Sequence, residues 1–182
     1  MNTIQKTASI LLLIGAMGFA SCGQDRIILP KLPVSDIATY FNDAAQTEAI
    51  DTAFYEVKDA QGNLLGTVLF SSPYSDHVKG FNGPTPLLIT LDAKGCITNV
   101  VLQRNSETPR FAQRVVEGGL YESWNGLTVE EAIGKEVDAI SGATYTSNGV
   151  KNSLTARLQV YQRQLTKDRN EEKGFWQRLF SK

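Results

Sequence analysis

Four stretches of the chain carry apolar residues in lengths and spacings that suit strands: Ala53-Phe54-Tyr55-Glu56-Val57, Leu64 to Phe70, Leu87 to Leu91, and Cys96 to Leu102. The first two are joined by Asp59-Ala60-Gln61-Gly62-Asn63, which predicts a hairpin reversing at Gly62-Asn63. The last two are joined by Asp92-Ala93-Lys94-Gly95, with Asp first and Gly last as a type I turn prefers. Helical spacing takes over further on. Val150, Leu154, Leu158, Tyr161 and Leu165 mark one face of a helix that Ser147 and Asn148 would open. A shorter helix is expected from Pro109 to about Glu117, with Thr108 as its cap. Thr128-Val129-Glu130-Glu131 has the form of a capping box. Another short helix is expected from Ser35-Asp36 to about Asp43, with Ile37, Tyr40 and Phe41 inward.

The two ends read differently. Lys6 precedes an uncharged run from Ala8 to Ala20, shorter than the ~20 residues of a membrane span and suited to an export signal. Phe19-Ala20-Ser21-Cys22 resembles a bacterial lipobox, although Phe19 stands where Leu is usual. On that reading Cys22 is lipidated and becomes the mature N-terminus; an uncleaved anchor is the rival. Either way the domain is expected outside the cytoplasm on a membrane surface. The expected organisation is a signal over 1–21, a tether and short helix over 22–50, a domain over 51–165, and a tail over 166–182. In the tail, Phe175, Trp176, Leu179 and Phe180 would share one side of a helix, as a docking or interfacial segment.

Composition narrows the function classes. With 42% hydrophobic and 20% charged residues, wholesale disorder is excluded. A net charge of −1 gives no reason to expect nucleic acid. Of two cysteines, Cys22 goes to lipid and Cys96 sits in an apolar run as a buried thiol. The single His77 has no companions for a metal site or a triad.

The chemistry is concentrated in Asp138-Ala139-Ile140-Ser141-Gly142-Ala143-Thr144-Tyr145-Thr146-Ser147-Asn148-Gly149-Val150. Gly142 and Ala143 allow a large group near the backbone. Ser141, Thr144 and Thr146 supply hydroxyls. A helix start close by offers unpaired N–H groups and partial positive charge, which favour phosphate.

Asp-x-x-Ser-Gly-Ala-Thr resembles the flavinylation motif of the FMN-binding domain family, which includes the C subunit of the sodium-pumping NADH:quinone oxidoreductase and the G subunit of Rnf-type complexes. Two further motifs, Gly80-Phe81-Asn82-Gly83-Pro84 and Glu107-Thr108-Pro109, fall in the family's order. Arg110, Phe111 and Ala112 depart from the Gly-Leu-Gly that follows there. The resemblance implies an α+β fold, an antiparallel sheet with packed helices. It implies FMN joined to Thr144 by a phosphoester bond, with Asp138, Ser141, Gly142 and Ala143 completing the motif and Thr146 beside it. It further implies ring contacts from Glu107, Thr108 and Phe111. Trp124 is a candidate to flank the ring, and Arg110 could set a positive charge near it. A separate flavin transferase would supply FMN from FAD with Mg2+, since no base beside Thr144 suggests self-modification.

The function expected is a lipid-anchored electron carrier between membrane redox partners, quinone-linked or Rnf/Nqr-like. A stand-alone oxidoreductase ranks lower, because no substrate-activating acid–base pair is evident. The alternatives are a subunit of an Rnf- or Nqr-like complex, and a non-redox envelope lipoprotein that keeps the fold.

Overall fold

The computed structural model describes residues 29–180, without the side chains of several residues towards its C-terminal end. The export segment and Cys22 lie outside it. So do the side chains of Phe175, Trp176, Leu179 and Phe180.

Five antiparallel strands form one meander in chain order: β1 (Gln46–Ala49), β2 (Phe54–Lys58), β3 (Leu64–Phe70), β4 (Leu87–Asp92) and β5 (Ile97–Leu102). Both expected hairpins are present. Asp59 accepts the N–H groups of Gln61 and Asn63 at 2.9 and 2.8 Å. Asp92 accepts those of Lys94 and Cys96 at 2.8 and 2.9 Å, and Gly95 takes the left-handed φ of +82° that the turn's last position requires. Three helices follow: α1 (Pro109–Glu117), α2 (Val129–Gly134) and α3 (Thr144–Phe180). The protein is therefore α+β, as the resemblance implied. Thr128 and Glu131 form the reciprocal capping box.

Successive strand residues face opposite sides, so the sheet supports two cores. Phe54, Leu69, Leu87, Ile89, Leu91 and Ile97 meet the helices, through Val115, Ala132, Val150, Leu154 and Leu158. Tyr55, Val57, Val68 and Leu88 face the other way, where Ile37 and Phe41 cover them. Buried Arg157 of α3 ties helix to sheet. Its Nε donates to Phe70 O at 2.8 Å and its Nη2 to Ala53 O at 3.1 Å, with the guanidinium 4.8 Å from the Tyr74 ring centre.

Several expectations change. The segment before the sheet is not a helix to Asp43. A 3₁₀ turn at Val34–Asp36 leads into separate turns that still point Ile37 and Phe41 inward. β1 was not expected, because Gln46-Thr47-Glu48-Ala49 has no apolar alternation. It is an edge strand paired with β2 along the main chain, with an ion pair between Glu48 and Lys58 at 2.6 Å. Helix α3 begins at Thr144, three residues before Ser147, and continues unbroken through the charged stretch after Leu165 to Phe180. Cys96 is half-buried rather than buried, and His77 is exposed.

Gly149 sets how closely α3 approaches the loop before β4. A Cβ there would lie 2.7 Å from Gly80 Cα and 2.8 Å from Gly80 N, both main-chain atoms that cannot swing aside. Alanine would gain about 1 kcal/mol in helix propensity, but overpacking costs about 1–3 kcal/mol, and here the obstacle is backbone. With main-chain atoms as the obstacle the cost falls in the upper part of that range, about 2–3 kcal/mol, so Gly149→Ala is expected to lose about 1–2 kcal/mol net, read from the urea unfolding midpoint. A variant as stable as the parent would contradict this packing.

Candidate functional site

The start of α3 is built by the turn that precedes it. Ala143 N–H donates to Ile140 O at 2.9 Å, and Gly142 takes a φ of +76°. The buried Ser147 hydroxyl donates to Ala143 O at 3.0 Å and accepts from Ile140 N–H at 3.1 Å. Ser147 thus closes the turn from inside the helix, rather than capping it as its sequence position suggested. The first i→i−4 bond is Ser147 N–H to Ala143 O, so the N–H groups of Thr144, Tyr145 and Thr146 have no partner within the helix.

The hydroxyls of the motif are sorted by this geometry. Thr146 is 1% exposed, and its hydroxyl donates to Glu107 Oε2 at 2.7 Å. Ser147 is consumed in the turn. Thr144 is exposed, and among the described residues its hydroxyl makes no hydrogen bond. It lines an open pocket of about 230 Å3 with Phe81, Phe111, Gly142, Ala143, Tyr145 and Thr146. The aromatic walls touch: Phe81 packs edge-on against Phe111 at 5.0 Å between ring centres and lies 6.4 Å from Tyr145. Phe81 is 56% and Tyr145 70% exposed, large apolar surfaces left to solvent.

Other expected site residues lie elsewhere. Trp124 is 2% exposed in the core beneath the sheet and cannot flank a group bound at this pocket. Its bulk helps fill the helix-facing core next to β5, a role the sequence could not separate from a surface aromatic. Glu107 is 6% exposed with both carboxylate oxygens engaged, so it does not face a ligand directly. Thr108 occupies the N-cap of α1 without a side-chain cap bond. Asp138 is exposed in the irregular segment between α2 and α3, and its side chain makes no hydrogen bond that caps a turn. Ser141 is exposed and takes part through its carbonyl.

The cation at the motif is Arg114, not Arg110. Arg114 Nη1 donates to Ser141 O at 3.4 Å and packs on Gly142, where a Cβ would sit 2.1 Å from it. Arg110 is exposed one turn earlier on α1. The i, i+4 spacing on a helix beginning at Pro109 was the available signal for Arg114. Phe81 lay inside one recognised motif and Tyr145 directly after another, but nothing in their spacing showed that they would meet. On the buried side of the site, desolvation and then the charges of Glu107 and Glu122 push the Tyr121 hydroxyl above its usual pKa.

These features suit a flavin nucleotide. The free N–H groups and Arg114 favour a phosphate, and the aromatic pocket favours a flat ring. At about 230 Å3 the pocket is smaller than the about 300–1,000 Å3 of enclosing ligand sites, so a ring bound here stays partly in solvent. Residues 80–159 match the family described as FMN-binding domain, a span from the Phe81 loop into α3. That span is an FMN-binding domain. The FMN-binding domain sits in a chain that is also similar to one curated protein. Over 151 residues it is 22% identical to the G subunit of the Na(+)-translocating ferredoxin:NAD(+) oxidoreductase complex of Acetobacterium woodii, covering 74% of this chain and 70% of the relative.

Gly142→Ala separates the two demands on that glycine. A left-handed φ costs a non-glycine residue about 1–2 kcal/mol, whereas the clash with Arg114 is with a flexible side-chain end. The loss in urea unfolding is expected to be nearly the same in an Arg114→Ala background. A loss that vanishes there would show that Arg114, not the backbone, requires glycine.

Proposed function

We propose that this FMN-binding domain carries FMN covalently on Thr144 and passes electrons between membrane redox partners outside the cytoplasm. The observation that carries the reading is the contrast between two threonines of one helical turn: Thr144 is exposed and unbonded, while Thr146 is buried and bonded to Glu107. At this turn an enzyme loading the chain from solution meets the free hydroxyl of Thr144, at the rim of an apolar pocket, and not that of Thr146.

Loading is a transfer from FAD by a flavin transferase with Mg2+. A bond forms between Thr144 Oγ and the phosphorus that remains with FMN. The pyrophosphate P–O bond breaks, AMP leaves, and the hydroxyl proton passes to the transferase or solvent. Among the described residues no base contacts Thr144, which supports an external catalyst. The N–H groups of Thr144, Tyr145 and Thr146, with Arg114, favour the negative charge of the ester. Phe81, Phe111 and Tyr145 offer the ring an apolar bed that leaves one part open to a partner. When attached, FMN supplies one- and two-electron chemistry, and the protein sets its exposure and surroundings. Exposed Asp138 suits recognition by the transferase.

The relative from Acetobacterium woodii is part of a complex, and this supports a place for the chain beside integral membrane partners. Lipidation of Cys22 would hold it at the membrane surface. Among the described residues no helix is long and apolar enough to cross a membrane.

Expression with and without a flavin transferase, followed by intact mass, tests the reading. The expected gain is one FMN less one water, absent in Thr144→Ala and retained in Thr146→Ala. A gain that persists in Thr144→Ala would overturn the assignment.

A further inference from the structure

Glu107 has no part in the loading or redox chemistry. Burying a carboxylate is costly, and apolar residues of similar volume fill such space at no loss of stability. Glu107 is nonetheless 6% exposed and fully engaged. Its Oε2 accepts the Thr146 hydroxyl at 2.7 Å, and its Oε1 accepts Asn82 N–H at 2.9 Å. Its own N–H donates to Asn105 Oδ1 at 2.9 Å, and Asn82 Nδ2 donates to Ser106 O at 2.7 Å. Gly80 is bare at the same point, since a Cβ there would lie 2.6 Å from Glu107 Oε1.

Each of these partners adjoins one wall of the aromatic pocket. Asn82 directly follows Phe81. Thr146 lines the pocket itself and directly follows Tyr145. Glu107 directly precedes the N-cap of α1, four residues before Phe111, whose ring packs on Phe81. Three segments far apart in sequence are thus joined through one carboxylate, behind the surface they present. The geometry points to Glu107 as a positioning residue: it fixes the loop before β4, the start of α1 and the first turn of α3 against one another, and so sets the orientation of the flavin ring without touching it. The inference rests on the reading of the site as a flavin carrier.

A carboxylate suits this task because it accepts only. It accepts a hydrogen bond from a hydroxyl of one segment and from a main-chain N–H of another, and each bond is charge-assisted. Glutamine in its place keeps an oxygen for Asn82 N–H but turns an amide towards Thr146. Alanine keeps neither bond.

The test uses Glu107→Ala and Glu107→Gln in the full chain, each made with and without a flavin transferase. In loaded protein the readouts are FMN per chain by mass and the visible circular dichroism of the flavin, which reports how rigidly and asymmetrically the ring is held. In unloaded protein the readout is amide exchange. FMN is expected to remain on Thr144 in both variants, while the flavin dichroism loses most of its amplitude in Glu107→Ala and changes shape in Glu107→Gln. In unloaded Glu107→Ala, Asn82 N–H is expected to exchange faster by about tenfold or more, with the β4 amides unchanged. Unaltered dichroism together with unaltered Asn82 exchange in Glu107→Ala overturns the role. Should Glu107→Ala exchange rapidly throughout and so fail to fold, Glu107→Gln decides, and parental dichroism there overturns the role as well. Parent protein that takes up no FMN overturns the reading of the site instead, and Asn82 exchange then decides on Glu107 alone.

Discussion

Residues two apart on a helix are separated by about 200°, so they face nearly opposite ways. At the start of α3 that simple constraint divides the labour between Thr144 and Thr146. The same turn cannot expose both hydroxyls to one side. Once Thr146 is drawn inward to Glu107, Thr144 must face out over the pocket of Phe81, Phe111 and Tyr145. The phase of the helix is set by what lies below. Val150, Leu154 and Leu158 are fully buried against the sheet, and Arg157 is bonded to two strand-end carbonyls. Rotating α3 enough to exchange the threonines would expose that apolar row and strand a buried guanidinium. Each costs several times the worth of a single surface hydrogen bond.

The sheet gives this arrangement its rigidity. β4 and β5 are the centre of the helix-facing core, and the loops leaving their ends carry Phe81 and Glu107 to the first turn of α3. Close approach is possible because Gly80 and Gly149 meet with no side chain between them. A flavin carrier benefits from such a frame. The ring must be held firmly enough to fix its potential, yet be open enough for a partner to approach within electron-transfer distance.

Much of this was legible in the sequence. Both hairpins followed from turn chemistry at Asp59 and Asp92, and α2 from its capping box. The motif around Thr144 was legible by resemblance. What could not be read was anything requiring two distant segments at once. The four residues of β1 form a strand because β2 offers it main-chain partners, a tertiary reason invisible in local pattern. Trp124 reads alike as a surface ring or a core filler until the helix-facing core forms around it. Glu107 passed for a ligand contact because its motif was recognised before its burial was known. Arg114 lacked a motif and was missed, although it stands one turn beyond Arg110 on the same helix. The helix start was misread for a related reason. Ser147 resembles a cap in sequence, and it does bond the turn, but from within the helix.

The most direct measurement is made on protein purified from the cells that natively produce it, without added transferase. Denatured chain should retain flavin fluorescence through electrophoresis, and peptide mapping should find the FMN ester on the peptide of residue 144 with Thr146 unmodified. Colourless chain, with residue 144 bare in every recovered peptide, would contradict the account.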